Sequence, residues 1–442
     1  MNELTYEQLR DSVAGAHVAL RSRVELAPAG GVGDKVFPPT YGVADSADHK
    51  YADEKRTIGL NPDGSAITTT AVLLNSVASE AKRLGFALRE ALELGELTFP
   101  NPYVDFSGQD GLADLDRIST LEASHRVADA LFRDSLLDGT LFRLSDIGRA
   151  ITEARPDSAT AMLRYCPTAL LFGVWDSTGP KGGLGSKFQR AIVSEIVGLG
   201  AQVGRKVGSR IDVLGIENSV VIYESKNADE GWTLDENEAV QDKGKPKPFD
   251  RKGVSDKPGR PSKVNHGNVT PTIDPKSGGV TIDSASQVAV LSFAALRKLR
   301  FPTDANGQRV DPSNRRAAET AARSAVAALG VAALAYQVEM DYDLRSRCLL
   351  VPTGPQRFEL LSRDGSEPTV VDLSREGAAR IVAEAARALA ERGMAWESDE
   401  IRLEPAPKLA ELIRRSRQNT AAAGDQNAAA AGDQNTVAAG KG

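Results

Sequence analysis

The sequence predicts an α+β fold carrying large inserted loops, and three observations lead there. Strand-like and helix-like segments alternate without a regular βαβαβ rhythm. One long stretch, residues 226–280, nearly loses its large apolar side chains in favour of proline, glycine, lysine and aspartate. The chain as a whole is 41% hydrophobic over 442 residues, enough for one large core or two modest ones and too much for a disordered protein.

In order along the chain, residues 3–20 predict a short helix and Arg21–Leu26 a strand with Val24 and Leu26 alternating. APAGGVGDKVFPPTYG follows, too rich in glycine and proline for either element. Residues 71–92 read as a helix, because Leu73, Leu74, Val77, Ala81, Leu84 and Leu88 recur near the helical period. Further helices are expected over 121–137 and 146–155. Ala169–Val174 is apolar enough for a buried strand, and 191–197 sets Val193, Ile196 and Val197 on one helical face. Short strands are expected at 211–216 and 219–224. After the 226–280 stretch, order resumes with Gln287–Leu299 and an alanine-rich helix at 315–335. Strands at Leu344–Val351 and Phe358–Leu361 and a helix at 375–392 complete the series. Residues 1–225 and 281–418 are thus read as one core, 226–280 as a flexible basic insertion, and 419–442 as a disordered tail. That tail repeats AAAGDQN (421–427) as AAAAGDQN (428–435) and has no bulky core-forming side chain.

Charge narrows the function. Fifty-four basic against 60 acidic residues give a net charge of -6, so any nucleic-acid surface must be local. Cys166 and Cys348 have no zinc or disulfide spacing, which fits a reducing cytoplasm. The N-terminus lacks the apolar core of a signal peptide. No run of 18 apolar residues lacks a charge, so no membrane span is expected.

Two loops have the chemistry to hold phosphate. In Pro28–Tyr41, Gly30, Gly31 and Gly33 let backbone amides approach an anion, Lys35 adds charge and Phe37 can stack a base. The P-loop spacing is absent, and a purely structural loop is an equal alternative. In 176–190, Lys181, Gly182, Gly183, Gly185, Lys187 and Arg190 follow the apolar run 169–174, a position suited to presenting amides and cations to an RNA backbone. Asp176 and Ser177 have no histidine or carboxylate group nearby to supply a base or metal site, so they read as structural. Eight basic residues against three acidic ones lie between Gln241 and Lys263. There Lys243, Lys245, Lys247, Arg251 and Lys252 are auxiliary candidates, set against simple solvation. Arg297, Lys298 and Arg300 face the same choice between phosphate and helix dipole. The four histidines are scattered, and no catalytic, metal or cofactor constellation emerges.

Four longer stretches carry a resemblance: RVELAPAGGVGDKVFPPTY (23–41), LLNSVASEAKRL (73–84), LLFGVWDSTG with GGLGSKFQRAIVSEI (170–196), and YDLRSRCLLVP (342–352). Together with LRKLRFP (296–302) they resemble, in family order, the repeated backbone subunit of type I-U (also called I-G) CRISPR complexes, within the RAMP superfamily. The resemblance implies a modified RNA-recognition-motif (ferredoxin-like) core with insertions. It also implies a non-catalytic role in which several copies stack along one guide crRNA, a projection from each crossing it at intervals. The implied partners are further copies of the chain, a large subunit, a fused end-capping and RNA-processing subunit, target DNA and a recruited helicase-nuclease. A subunit that serves every guide must hold phosphates and sugars and leave base edges free. Arg21, Arg23, Lys35, Lys181, Lys187 and Arg190 are the expected guide contacts, with Arg345 and Arg347 added on one face of the strand expected at 344–351. The alternatives are a metal-dependent ribonuclease using Asp176, and a structural oligomer that binds no RNA.

Overall fold

Burial alternates along the first strand: Leu20, Ser22, Val24 and Leu26 are covered, while Arg21, Arg23 and Glu25 face the other way. The computed structural model describes residues 3–44, 46–179, 185–251 and 256–428. Two units are distinguished, one formed by 1–39, 51–202 and 280–410, the other by 40–50, 203–279 and 411–442.

A nine-stranded antiparallel sheet organises the first unit. Its strands, in chain order, are His17–Pro28 (β1), Asp53–Leu60 (β2), Ala66–Asn75 (β3), Ile192–Leu199 (β4), Ser284–Ser292 (β5), Tyr342–Asp343 (β6), Leu349–Pro352 (β7), Arg357–Ser362 (β8) and Thr369–Val371 (β9). The helices that matter most are Tyr6–Asp11 (α1), Val77–Glu93 (α2), Pro167–Phe172 (α3), Arg315–Val338 (α4) and Arg375–Ala390 (α5). The elements β1, α2, β4, β5, α4 and β8 follow one another as β-α-β-β-α-β. Their strands lie in the order β8, β1, β5, β4 with antiparallel neighbours, a split βαβ arrangement. The hairpin β2–β3 extends the sheet beyond β4.

The helices cover one face. α4 is almost wholly buried and built from small residues, which lets it approach closely. A Cβ on its Gly330 would sit 2.9 Å from the Leu291 methyls and 3.0 Å from that of Leu171. α4 is long and apolar enough to cross a membrane, yet 94% of that stretch is buried inside the fold, as for a core helix.

One buried carboxylate joins these layers. Glu80 of α2, 0% exposed, accepts hydrogen bonds from Asn75 Nδ2 of β3 (2.6 Å), Ser194 Oγ of β4 (2.9 Å), and Gln287 Nε2 of β5 (2.6 Å). Gln337 Nε2 of α4 adds a longer bond (3.3 Å), and Arg83 one turn along α2 supplies the countercharge at 3.3 Å. Tyr342 of β6 donates to Gln287 at 2.8 Å, and burial pushes its hydroxyl up to about 12.

The structure departs from the sequence reading where apolar runs are short. The helix expected at 71–92 begins only at Val77. Leu73 and Leu74 belong to β3, and Ser76 caps the helix by accepting from the Ser79 N–H. Ala169–Val174, expected as a strand, is mostly the helix α3, opened by Pro167 in its first turn. Residues 191–197, expected as a helix, form β4, whose Ile192, Ser194 and Ile196 alternate inward. The span 121–137 breaks into the turn Arg126–Ala128, the short helix Ala130–Arg133 and the strand Ser135–Leu137. The strand expected at 344–351 is a hairpin. Leu344 N–H donates to Cys348 O (3.0 Å), Cys348 N–H donates to Arg345 O (2.8 Å), and Arg347 turns left-handed at φ 59°.

In the second unit, Lys206–Arg210 pairs with Val269–Asp274, and two shorter hairpins follow within that segment. The strands expected at 211–216 and 219–224 reduce to Tyr223–Glu224. Ile222, Ala239 and Phe249 are its buried apolar residues. The helix Pro407–Ala428 runs through the first copy of the tail repeat, and residues 429–442 lie outside the described residues.

Replacing Glu80 by glutamine keeps the shape but exchanges one acceptor oxygen for an NH2 group, which turns donors toward existing donors. The variant is expected to lose about 3 kcal/mol of stability, read as a shift in the urea midpoint at unchanged slope; an unchanged midpoint would remove the carboxylate from the centre of the fold.

Candidate nucleic-acid interface

Two surfaces of the first unit compete for a polyanion: the open face of the sheet and a groove beside α2 and α3. On the open face the cross-strand register sets Val193, Val290, Arg21 and Glu359 in one row and Glu195, Val288, Arg23 and Arg357 in the next. Arg21 Nε is held by Glu359 at 2.7 Å, and Arg56 of β2 by Glu195 at 2.7 Å. None of the eight residues in these rows is aromatic. Two of the four arginines there, Arg21 and Arg56, are answered internally, and these two rows offer no aromatic stacking surface. Arg23 is exposed directly opposite Arg357, a like-charge pair that sheets disfavour.

The groove differs. It encloses about 590 Å³ and is lined by residues of α2, the turn at 123–126, the end of α3 and the ladder that follows. Lys82, Arg126, Lys187 and Arg190 contribute cations, and among the described residues no aspartate or glutamate lines it. In a chain of net charge -6 that segregation is local and pronounced.

Its geometry follows from the chain reversal after α3. Gly173 takes φ 79° and ψ 154°, a region open essentially to glycine alone. A Cβ there would meet Arg190 Cγ at 2.9 Å and Arg190 N at 3.0 Å, so the missing side chain is what lets Arg190 cross. Val174–Trp175 then pairs antiparallel with Lys187–Phe188, which puts Trp175 opposite Lys187. The Lys187 ammonium sits 5.1 Å from the indole centroid, and Trp175 remains 60% exposed.

Arg126 lies deeper. It is 8% exposed, with a left-handed backbone (φ 53°) and its guanidinium 4.4 Å over the Phe172 ring. Among the described residues it makes no ion pair and no side-chain hydrogen bond. Burial pulls its pKa down to about 10; the neighbouring Cys166 works against that shift and Arg190 adds to it by repulsion.

The other expected contacts are dispersed. Lys35 is half-buried in its loop, where its N–H donates to Asp34 Oδ1 at 2.8 Å. That loop adjoins the hairpin turn: Phe37 N–H donates to Arg347 O at 3.0 Å, and the Arg347 guanidinium covers the Phe37 ring at 4.2 Å. Arg345 Nη1 reaches Cys348 Sγ at 3.7 Å. Arg345 and Arg347 therefore sit in a turn, where strand alternation does not apply. Lys181, Gly182, Gly183 and Lys252 lie outside the described residues. Lys243 occupies a tight two-residue turn at φ 51°, Lys245 is exposed, Lys247 pairs with Glu224 at 2.5 Å, and Arg251 is buried. Arg297 donates to the carbonyls of Ser12, Val13 and His17, and Arg300 to Glu319 at 3.4 Å. Lys298 Nζ stands 3.5 Å from Gln189 Oε1, at the rim of the groove.

Asp176 is 3% exposed and bound to Arg143 Nη2 at 2.5 Å, and it also accepts from the Thr178 N–H and hydroxyl. It closes the turn after Trp175. Among the described residues no group of three histidine, cysteine or carboxylate side chains is placed to hold a metal ion.

Of the residues expected from the sequence the groove gathers Lys187 and Arg190; Lys82, Arg126 and Trp175, which line it too, were not among those expected. Gly173→Ala should cost about 2 kcal/mol and displace Arg190; a denaturation midpoint equal to the parent's would contradict the packing described.

No curated protein matches the chain. The family model described as CRISPR-associated protein GSU0053 matches residues 20–203, somewhat less than half of the chain and a span containing every residue that lines the groove.

Proposed function

We propose that this chain is the repeated, non-catalytic backbone subunit of a type I-G (I-U) CRISPR surveillance complex, holding guide crRNA by its phosphates and sugars. The observation that carries the reading is the acid-free cationic groove with an exposed tryptophan, inside the span matched by the CRISPR-associated family model. Cations with a stacking surface bind a single strand whatever its sequence, as a subunit serving every guide requires.

The split βαβ sheet supports a modified RRM-like core. The two rows described on its open face carry none of the aromatic residues by which RNA-recognition motifs stack bases, which favours the groove as the guide path. In this reading Arg23, with Arg357 beside it, is a secondary phosphate contact, and Lys181, Gly182 and Gly183 are further guide contacts. The 226–280 insertion carries auxiliary cations, and the tail beyond residue 418 is dispensable. Further copies of the chain, the large subunit, the fused processing subunit, target DNA and the helicase-nuclease complete the assembly. The nuclease alternative loses support from the engagement of Asp176 by Arg143.

Purification of the tagged chain from cells expressing a matching CRISPR array, with RNA mass and protein stoichiometry measured together, tests the reading. Several copies on one discrete guide are expected. A monodisperse protein free of RNA would overturn guide-bound assembly.

A further inference from the structure

We propose that Arg126 and Arg190 form a seat for one phosphodiester of single-stranded nucleic acid, with the adjoining base stacked on the exposed indole of Trp175. The inference deepens the proposed guide-binding role and rests on it.

An arginine only 8% exposed is normally answered by a carboxylate or by carbonyls. Arg323 of α4 shows the usual solution, with Glu319 at 2.6 Å and two bonds to Leu299 O. Arg126 has only the Phe172 ring. A second cation lining the same groove, Arg190, repels it, which increases the cost of leaving the site empty. A like-charged pair turned toward a groove without acids is arranged for an anion that arrives from outside. Two forked donors suit phosphate oxygens. The groove volume of about 590 Å³ lies within the range of ligand sites.

Trp175 makes the ligand a nucleotide instead of a bare anion. Its indole is 60% exposed, fixed opposite Lys187 by strand pairing. A base on that ring needs no edge contacts, so the seat is indifferent to sequence.

The seat predicts opposite signs for stability and binding. Arg126→Met removes an uncompensated buried charge, so the RNA-free full-length chain should melt at the same temperature or higher. Its affinity for oligouridylate should fall about tenfold, and the slope of log affinity against log salt should become shallower by about 0.7, one phosphate contact. Trp175→Ala should weaken binding about tenfold with the slope unchanged. A lower melting temperature for Arg126→Met with parental affinity and slope would overturn the seat and make Arg126 a core residue. Failure of the parent chain itself to bind oligouridylate would instead remove the guide-binding reading on which the seat depends.

Discussion

A single buried negative charge holds the first unit together. Glu80 takes hydrogen bonds from β3, β4, β5 and α4, so the relative register of two helices and three strands is specified at one point. Such a network is costly when incomplete and specific when complete. It also sets the rotation of α2. With Glu80 turned into the sheet, Lys82 two residues on faces the groove, and Leu84 and Leu88 pack in the core. The cationic wall is thus a consequence of how the carboxylate is satisfied.

Charge is distributed by the same logic elsewhere. On the open face, Arg21 and Arg56 are matched to glutamates across strands, as Arg21–Glu359 and Arg56–Glu195, while Arg23 and Arg357 face each other. In the groove the cations are left unmatched, and one of them is buried. A protein with more acidic than basic residues can hold a polyanion if the acids are kept away from one place. Arg126 is where that separation costs the most, combining burial, a left-handed backbone and a neighbouring cation.

Much of the core was legible from periodicity. α4 and α5 are long enough for their helical repeat to be unambiguous, and Ser374 caps α5 through the Gly377 N–H as such serines do. β1 was legible over Arg21–Leu26, but its first four residues, His17–Leu20, were assigned to the preceding helix. The runs 169–174 and 191–197 were read with helix and strand exchanged, because six or seven apolar residues satisfy either period and tertiary packing decides. Lys187 and Arg190 were visible through the glycines beside them. Arg126 was not, because its local sequence is ordinary and its meaning comes from Phe172, 46 residues away in sequence, and from Arg190. Arg345 and Arg347 were misplaced because a four-residue turn can hide in a run that also fits a strand.

Ultraviolet crosslinking of the RNA-bound chain, with the crosslinked peptides identified by mass spectrometry, tests the central claim most directly. The account predicts crosslinks at Trp175 and in the peptides containing Arg126 and Arg190. Crosslinks confined to β1 and β8 on the open face of the sheet would contradict it.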